Sequence, residues 1–193
     1  MTKAVLFDAL GTLFDLGRRE RSAELMRTLH HATALTLAGG FAPLAEIARG
    51  VDPKLAEALA NADPYDDAEE AVAVVADAGV PAYVLTNGNA ATTTELLRKA
   101  GLAERIAGVF SVDDVRRYKP DAAPYSYAVR GIGAQPADVT LIAAHAWDVV
   151  GARNAGLNAV WVDRRDEGWP LPVPQPEQRA EDLATAARIA TMR

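Results

Sequence analysis

The stretch that decides the fold is AVLFDALGT, residues 4–12, close to the start of the chain. It consists of a short apolar run, Ala4 to Phe7, and a carboxylate, Asp8, that comes shortly before a Gly-Thr pair. A continuous apolar run without polar alternation is typical of a strand that is buried on both faces of a parallel sheet. Asp8 would then stand at the carboxyl end of this strand, the edge where open α/β sheets bind their ligands.

Four further apolar runs follow along the chain, and helical patterns alternate with them. The runs cover residues 82–85, 108–110, 139–142 and 159–162. The helical patterns, each followed directly by a glycine, cover residues 68–78, 92–100, 122–130 and 148–155. The third of them is thus predicted to end at Gly131. This alternation predicts an α/β fold with a doubly wound parallel sheet.

Residues 16–62 depart from this alternation, because they contain successive helical patterns and no convincing strand. We interpret them as a small helical cap that is inserted after the first strand. Residues 1–15 and 63–193 then form the core. The other interpretation of the same segment is a long crossover connection between two strands.

The composition narrows the class of protein and of partner. The chain has 193 residues, 50% of them hydrophobic, which suits one domain with a proper core. Its formal net charge of −6 disfavours non-specific binding to nucleic acid or to anionic membranes. It contains no cysteine and no apolar stretch near the roughly 20 residues that span a bilayer. We therefore expect a cytoplasmic protein with no nucleic-acid partner and no membrane partner.

Polar and aromatic side chains gather at the ends of the predicted strands. Parallel strands present their carboxyl ends at one edge, so we expect these side chains to lie together. They are, in chain order, Asp8, Thr12, Thr86, Asn87, Lys119, His145, Trp147 and Asp148. An Asp before Gly-Thr is by itself often only a turn. An acid, a hydroxyl with an amide, a lysine and a second acid, in this order, are hard to produce by accident.

These segments resemble the four motifs of the haloacid dehalogenase (HAD) superfamily. The matching residues are Asp8-Ala9-Leu10-Gly11-Thr12, Thr86-Asn87-Gly88, Lys119-Pro120 and Asp148. The resemblance covers about residues 1–15 and 64–163. It implies a three-layer, Rossmann-like α/β core with a parallel sheet, a small helical cap inserted after strand one, and Asp8 as the nucleophile.

The residues at two positions indicate to which branch of the superfamily the sequence is similar. Its phosphatases need a second Asp two residues after the nucleophile, as general acid and base, and Leu10 stands there instead. They also need an acid four residues before the last motif Asp, to help hold Mg²⁺, and Ala144 stands there. We therefore expect no metal site and no cofactor, with a Mg²⁺-dependent phosphatase as the alternative.

Where the sequence departs from the phosphatases, it resembles the L-2-haloacid dehalogenase branch. The similar segments are residues 7–15 (FDALGTLFD) and 146–152 (AWDVVGA). The resemblance implies metal-independent hydrolysis of small 2-haloalkanoic acids through an aspartyl ester. It implies catalytic roles for Asp8, Lys119, Asp148 and Thr12, with Asp148 helping to activate water. It implies substrate contacts for Leu10, Thr86, Asn87, Tyr125, His145 and Trp147. Alternatives stay open for four of these residues. Asp148 could serve only as a helix cap, and Tyr125 and Trp147 could serve only in core packing. His145 could act as a base, orient the water or only fill space.

One feature of the dehalogenases is missing. Their cap supplies an arginine for the departing halide, and alignment of the cap places Leu35 at that position. The cap is also shorter than in those enzymes. Besides the dehalogenase and the phosphatase, a third hypothesis is therefore a protein of this fold that binds a ligand and has little catalytic activity. The resemblance implies a small-molecule carboxylate as the substrate. It leaves the oligomeric state open, with a homodimer formed through the cap as one alternative.

Overall fold

The computed structural model describes residues 2–16, 19–164 and 168–192, and residues 19–22 are described by their backbone alone. Residues 17 and 18 of the predicted cap therefore lie outside the described residues. So do residues 1, 165–167 and 193 of the predicted core. Within the described ranges, none of the helices combines the length and apolarity that crossing a bilayer requires.

Strands and helices alternate along most of the described chain. The strands are β1 (Ala4–Asp8), β2 (Phe14–Asp15), β3 (Asp63–Pro64), β4 (Ala82–Thr86), β5 (Ile106–Ser111), β6 (Val139–Ala143), β7 (Asn158–Val162) and β8 (Arg179–Ala180). The helices are α1 (Arg19–Leu37), α2 (Leu44–Val51), α3 (Pro53–Leu59), α4 (Ala68–Asp77), α5 (Ala90–Lys99), α6 (Ala122–Ile132), α7 (Ala146–Asn154) and α8 (Leu183–Thr191).

Most of the strands form one parallel, 6-stranded sheet in the order β5-β4-β1-β6-β7-β8. β1 lies inside this sheet, where Phe7 pairs with Val84 on one side and with Ile142 on the other. The carboxyl ends of β4 and β6 therefore lie beside Asp8. The predicted α/β fold with a parallel sheet is confirmed.

Two apolar layers cover the sheet, one on each face. Val5 and Phe7 belong to a cluster that includes buried residues of α4, α5 and α8. Ala4 and Leu6 belong to a second cluster, with buried residues of α6 and α7. Because successive side chains of a strand point to opposite faces, both faces of β1 must be apolar. This arrangement explains why the run before Asp8 shows no polar alternation.

The end of α6 differs from the prediction. Gly131 lies inside this helix, which continues to Ile132 and ends at Gly133 in the left-handed region (φ 75°). A Cβ atom on Gly131 would lie 2.4 Å from Cε1 of Phe110, so the glycine lets the helix approach β5. The prediction of an end at Gly131 was therefore wrong, because this glycine serves packing and not helix termination.

The helices α1, α2 and α3 form a three-helix segment between two short strands. β2 and β3 flank the segment and pair antiparallel, with Phe14 opposite Pro64, so the chain leaves and rejoins the sheet domain side by side. The far end of the segment contacts the chain just before Lys119. There the backbone N–H of Tyr118 donates to Oγ1 of Thr36 (3.0 Å), and its hydroxyl donates to the carbonyl oxygen of Ala42 (2.7 Å). The segment thus lies over the carboxyl edge of the sheet.

Candidate active site

Asp8 is the last residue of β1, and its side chain is only 6% exposed. Its Oδ1 atom accepts a hydrogen bond from Nζ of Lys119 at 2.8 Å. Its Oδ2 atom accepts one from the hydroxyl of Thr12 at 2.8 Å and lies 3.0 Å from Nδ1 of His145. Both carboxylate oxygens are therefore held in place by residues that are distant in sequence or lie in the following turn.

Lys119 is fully buried, and all three of its ammonium hydrogens find acceptors. Nζ donates to Asp8 at 2.8 Å, to Oδ2 of Asp148 at 2.7 Å and to the carbonyl oxygen of Leu85 at 2.9 Å. The backbone N–H of Lys119 donates to Oδ1 of Asn87 at 3.0 Å. The amide thus fixes the turn that carries the lysine, and the lysine joins the two carboxylates.

Asp148 is the third residue of α7 and is fully buried. Besides the bond from Lys119, its Oδ1 atom accepts the hydroxyl hydrogen of Tyr125 at 2.6 Å. The N-cap of α7 is His145, so the interpretation of Asp148 as a helix cap is wrong. Gly151 makes room for the tyrosine, because a Cβ atom there would lie 2.5 Å from its hydroxyl oxygen. Both oxygens of Asp148 therefore already have donors inside the protein.

The charges of these groups follow from burial and from their neighbours. Burial alone would raise the pKa of Asp8, but the charge of Lys119 and the hydrogen bonds from His145 and Lys119 outweigh it and hold that pKa well below its usual range. Burial also raises the pKa of Asp148, with the Asp8 carboxylate adding to it and Lys119 opposing it. Burial lowers the pKa of Lys119, but the two carboxylates reverse this and raise it. Asp8 is therefore an ionised carboxylate at neutral pH.

The hydroxyl of Thr12 is bound to Asp8, and the residue does not line the space beside Asp8. Its hydroxyl donates to Asp8 and accepts from the backbone N–H of Ala144 at 3.0 Å, and the residue is fully buried. Its carbonyl oxygen accepts from Nη2 of Arg164 at 2.7 Å. The same guanidinium is paired with Asp67 at 3.0 Å, which ties the turn after β1 to the start of α4. Sequence reasoning missed Arg164 and Asp67, since neither lies in a motif.

His145 contacts Asp8 at the carboxylate oxygen that does not bind Lys119. Its ring stacks on Trp147, with 5.0 Å between ring centroids and 26° between planes. Gly11 lies directly against the ring, because a Cβ atom there would be 2.6 Å from Cε1 of His145. Gly11 also has a positive φ of 82°, which favours glycine. Glycine at position 11 therefore allows both the backbone conformation of the turn and the close approach of the His145 ring.

A small cavity, the reaction cavity, lies against Asp8. Its volume is about 10 Å³, close to the space that one water molecule needs. The residues that line it are Asp8, Leu10, Leu25, Leu29, Leu44, Thr86, Asn87, His145 and Trp147. Five of the six predicted substrate contacts are among them, whereas Tyr125 lies buried behind Asp148.

The three leucines that line the reaction cavity come from α1 and α2, and sequence reasoning missed them. Leu25, Leu29 and Leu44 are ordinary apolar positions of amphipathic helices, so nothing in the sequence distinguishes them from core residues. Leu35, at the predicted position of the halide arginine, is 36% exposed and does not line the cavity. Among the side chains that the structure describes, no arginine lines the cavity.

The residues present do not fit Mg²⁺. The carboxylates of Asp8 and Asp148 both bind the ammonium of Lys119, and Ala144 offers no side-chain oxygen. Within residues 2–16, 19–164 and 168–192, no group of three or more His, Asp or Glu side chains is placed to hold a metal ion. A hard cation that wants six or more oxygens finds too few here.

The chain is similar in sequence and in fold to haloacid dehalogenases. The (S)-2-haloacid dehalogenase of Xanthobacter autotrophicus is 30% identical, over 85% of this chain and 76% of that protein. (S)-2-haloacid dehalogenase 1 of Pseudomonas sp. (strain CBS-3) is 27% identical, over 84% and 85%. The solved structure of L-2-haloacid dehalogenase from Xanthobacter autotrophicus with chloropropionic acid covalently bound superposes with a TM-score of 0.86, at 25% identity, over 98% of each chain.

The family model for haloacid dehalogenase-like hydrolases matches residues 43–156, which run from the three-helix segment to the end of α7. The match includes Thr86, Lys119 and Asp148, which the parallel sheet brings to the carboxyl end of β1. The predicted resemblance to the HAD superfamily is confirmed. By its fold, by its sequence and by this match, the chain belongs to the family of haloacid dehalogenase-like hydrolases.

Proposed function

We propose that the protein releases halide from small 2-haloalkanoic acids, without a metal ion and through an ester on Asp8. The observation that carries the proposal is the ammonium of Lys119, bound to both Asp8 and Asp148. It supplies the positive charge that keeps the nucleophile ionised in a buried site. The named relatives are 2-haloacid dehalogenases, and the similar solved structure holds chloropropionic acid covalently.

In the first step, a carboxylate oxygen of Asp8 attacks C-2 of the substrate. The new C–O bond forms as the carbon–halogen bond breaks, and the halide leaves with the bonding electron pair. Halide is a stable anion, so the leaving group needs no proton. This chemistry explains why Leu10 can replace the acid that a phosphatase needs at that position.

In the second step, water adds to Cγ of Asp8 and releases the 2-hydroxy acid. We assign the water's proton to His145 and not to Asp148, which was the role expected from the resemblance. Both oxygens of Asp148 are taken by Lys119 and Tyr125, whereas His145 lies 3.0 Å from Asp8, lines the reaction cavity and is 20% exposed. The leaving alkoxide then takes the proton from His145, so Asp8 is regenerated. Asp148 and Tyr125 position Lys119.

We propose that Thr86, Asn87 and the backbone N–H groups near Leu10 and Asn87 receive the substrate carboxylate. Thr12, for which the resemblance implies a catalytic role, lies beside Asp8 instead. Its hydroxyl is occupied by Asp8 and by the N–H of Ala144, which supports a role in orienting the nucleophile. Trp147 would form an apolar wall of the reaction cavity.

We further propose that residues 16–62 act as a cap over the core of residues 1–15 and 63–193. Leu25, Leu29 and Leu44 of this segment close the reaction cavity, which supports a role in excluding water during the first step. A cytoplasmic location and a homodimer formed through the cap belong to the same proposal.

The test is halide release from L-2-chloropropionate and chloroacetate in the presence of EDTA. We expect release by the wild type, unchanged by EDTA, and none by Asp8→Asn. Release that requires added Mg²⁺ would contradict the metal-independent mechanism. The absence of release from any haloacid would favour the reading of a binding protein with little catalysis.

A further inference from the structure

A second and much larger cleft opens beside the reaction cavity. Its volume is about 770 Å³, which lies within the range of small-molecule sites. Leu25, His145 and Trp147 line both spaces, so the cleft and the reaction cavity share one wall. The cleft extends from this wall past the turn of Gly11 and along the end of β7.

The outer part of the cleft offers apolar side chains. It is lined by Met26 of α1, by Trp161 of β7, and by Pro170 and Leu171 of the segment that follows. Met26 is 44% exposed, although it is a large apolar side chain. An apolar ligand would remove this surface from water.

The charged side chains that line the cleft already have partners. Arg164 is paired with Asp67 at 3.0 Å, and Asp163 is paired with Arg179 at 2.8 Å. Asp15 accepts a hydrogen bond from the hydroxyl of Tyr65 at 3.4 Å. A charged ligand group would have to compete with these pairs, whereas an alkyl chain would leave them intact.

We propose that the cleft holds the alkyl chain of longer 2-haloalkanoic acids while their carboxylate and carbon–halogen bond remain at Asp8. This inference rests on the proposed function. The reaction cavity has room for about one water molecule, which is less than any haloacid needs, so a bound acid must extend past the lining of this cavity. On the other side of the wall that the two spaces share, the cleft offers apolar surface. The substrate class thus extends to acids such as 2-bromohexanoate.

The first test is a chain-length series of 2-bromoalkanoates, from propionate to octanoate, with the wild type. Full burial of a methylene contributes about 0.8 kcal/mol, so we expect kcat/KM to rise by up to about fourfold per added methylene. A steady fall in kcat/KM beyond propionate, with chloroacetate still turned over, would overturn the cleft assignment and leave the proposed function standing.

The second test fills the cleft. Met26→Trp places a larger side chain in it, and Leu37→Trp is the matched control because Leu37, on the same helix, is 84% exposed and does not line the cleft. We expect the ratio of 2-bromohexanoate to chloroacetate turnover to fall at least tenfold in Met26→Trp and to stay unchanged in Leu37→Trp. Equal ratios in both folded variants would overturn the assignment.

A binding measurement separates this inference from the proposed function. Calorimetry with octanoate and acetate needs neither turnover nor a variant. Tighter binding of octanoate by the wild type supports the cleft as a chain site even if no haloacid releases halide, a result that would overturn the proposed function alone. Equal binding of the two acids would overturn the cleft assignment.

Discussion

The Nζ atom of Lys119 lies 2.8 Å from Oδ1 of Asp8, and the two side chains are 0% and 6% exposed. A buried ion pair of this kind depends strongly on both members, because a single remaining charge would be left without compensation. Here the ammonium also binds Asp148 at 2.7 Å. The charge state of Asp8 therefore depends on a residue 111 positions away in the sequence.

Lys119→Met keeps a long, unbranched side chain at this position and removes its positive charge. Two buried carboxylates then face each other without a cation, so we expect the free energy of unfolding at pH 8 to fall by about 3–5 kcal/mol. Urea unfolding measures this loss. Arg98→Met is the control, because Arg98 pairs with Glu95 on the exposed surface and its loss should leave stability nearly unchanged.

The free energy of unfolding of Lys119→Met should depend on pH with the opposite sign to the contribution of the wild-type Asp8–Lys119 ion pair. Without the ammonium, burial and mutual repulsion raise the pKa of Asp8 and Asp148 above their values in the unfolded chain. A group with a raised pKa stabilises the fold at low pH and loses this contribution as the pH rises through the folded pKa. We expect the variant to be more stable at pH 5 than at pH 8. A variant that loses stability from pH 8 to pH 5 would contradict this account.

Tyr125→Phe removes the hydroxyl that donates to Asp148 and keeps the ring. A hydrogen bond to a charged group contributes about 1.5–3 kcal/mol, so we expect a loss of that size in urea unfolding. Tyr127→Phe is the matched control on the same helix, since its hydroxyl donates to Asp114 at an exposed site. We expect that variant to change stability by less than about 0.5 kcal/mol. Similar losses in both variants would show that Tyr125 does not support Asp148.

Gly11→Ala tests the contact with His145. Gly11 and Gly39 both have a positive φ, of 82° and 78°, so alanine should cost roughly 1–2 kcal/mol at either position. A Cβ atom at Gly11 also meets the imidazole of His145, whereas one at Gly39 meets no atom within 4 Å. We expect both variants to lose stability but only Gly11→Ala to lose turnover. Equal turnover in the two variants would exclude a role for the contact.

His145→Gln should slow the second step more than the first. Removal of a general base costs about 10²–10⁴-fold, so we expect the steady-state rate to fall by that factor while the first halide is still released. The ester should then accumulate on Asp8, which mass spectrometry of the intact protein detects. His30→Gln, at an exposed position of α1, should not accumulate it. A slow first halide release without any ester would contradict the role assigned to His145.

The fold and the residues at its carboxyl edge were predictable because parallel topology brings strand ends together. The apolar run before Asp8 indicated a central strand, and the residues after β4 and β6 had to lie near it. Gly131 shows the limit, since its contact with Phe110 depends on how α6 packs on β5 and leaves no local pattern.

The contacts between site residues were harder to predict than the identity of the residues that form the site. Lys119 and Asp148 were both expected near Asp8, but only the structure shows that the hydroxyl of Tyr125 occupies the second oxygen of Asp148. The leucines of α1 and α2 were also missed. An amphipathic helix has one apolar face whether that face covers a core or a reaction cavity.

A single turnover in ¹⁸O-labelled water tests the central claim, that Asp8 is the nucleophile, most directly. With enzyme in excess over L-2-chloropropionate, water should add to Cγ of Asp8, so the label should appear in the Asp8 peptide and not in the lactate. Label in the lactate with an unlabelled Asp8 peptide would mean that water attacks the substrate directly, and would contradict the account.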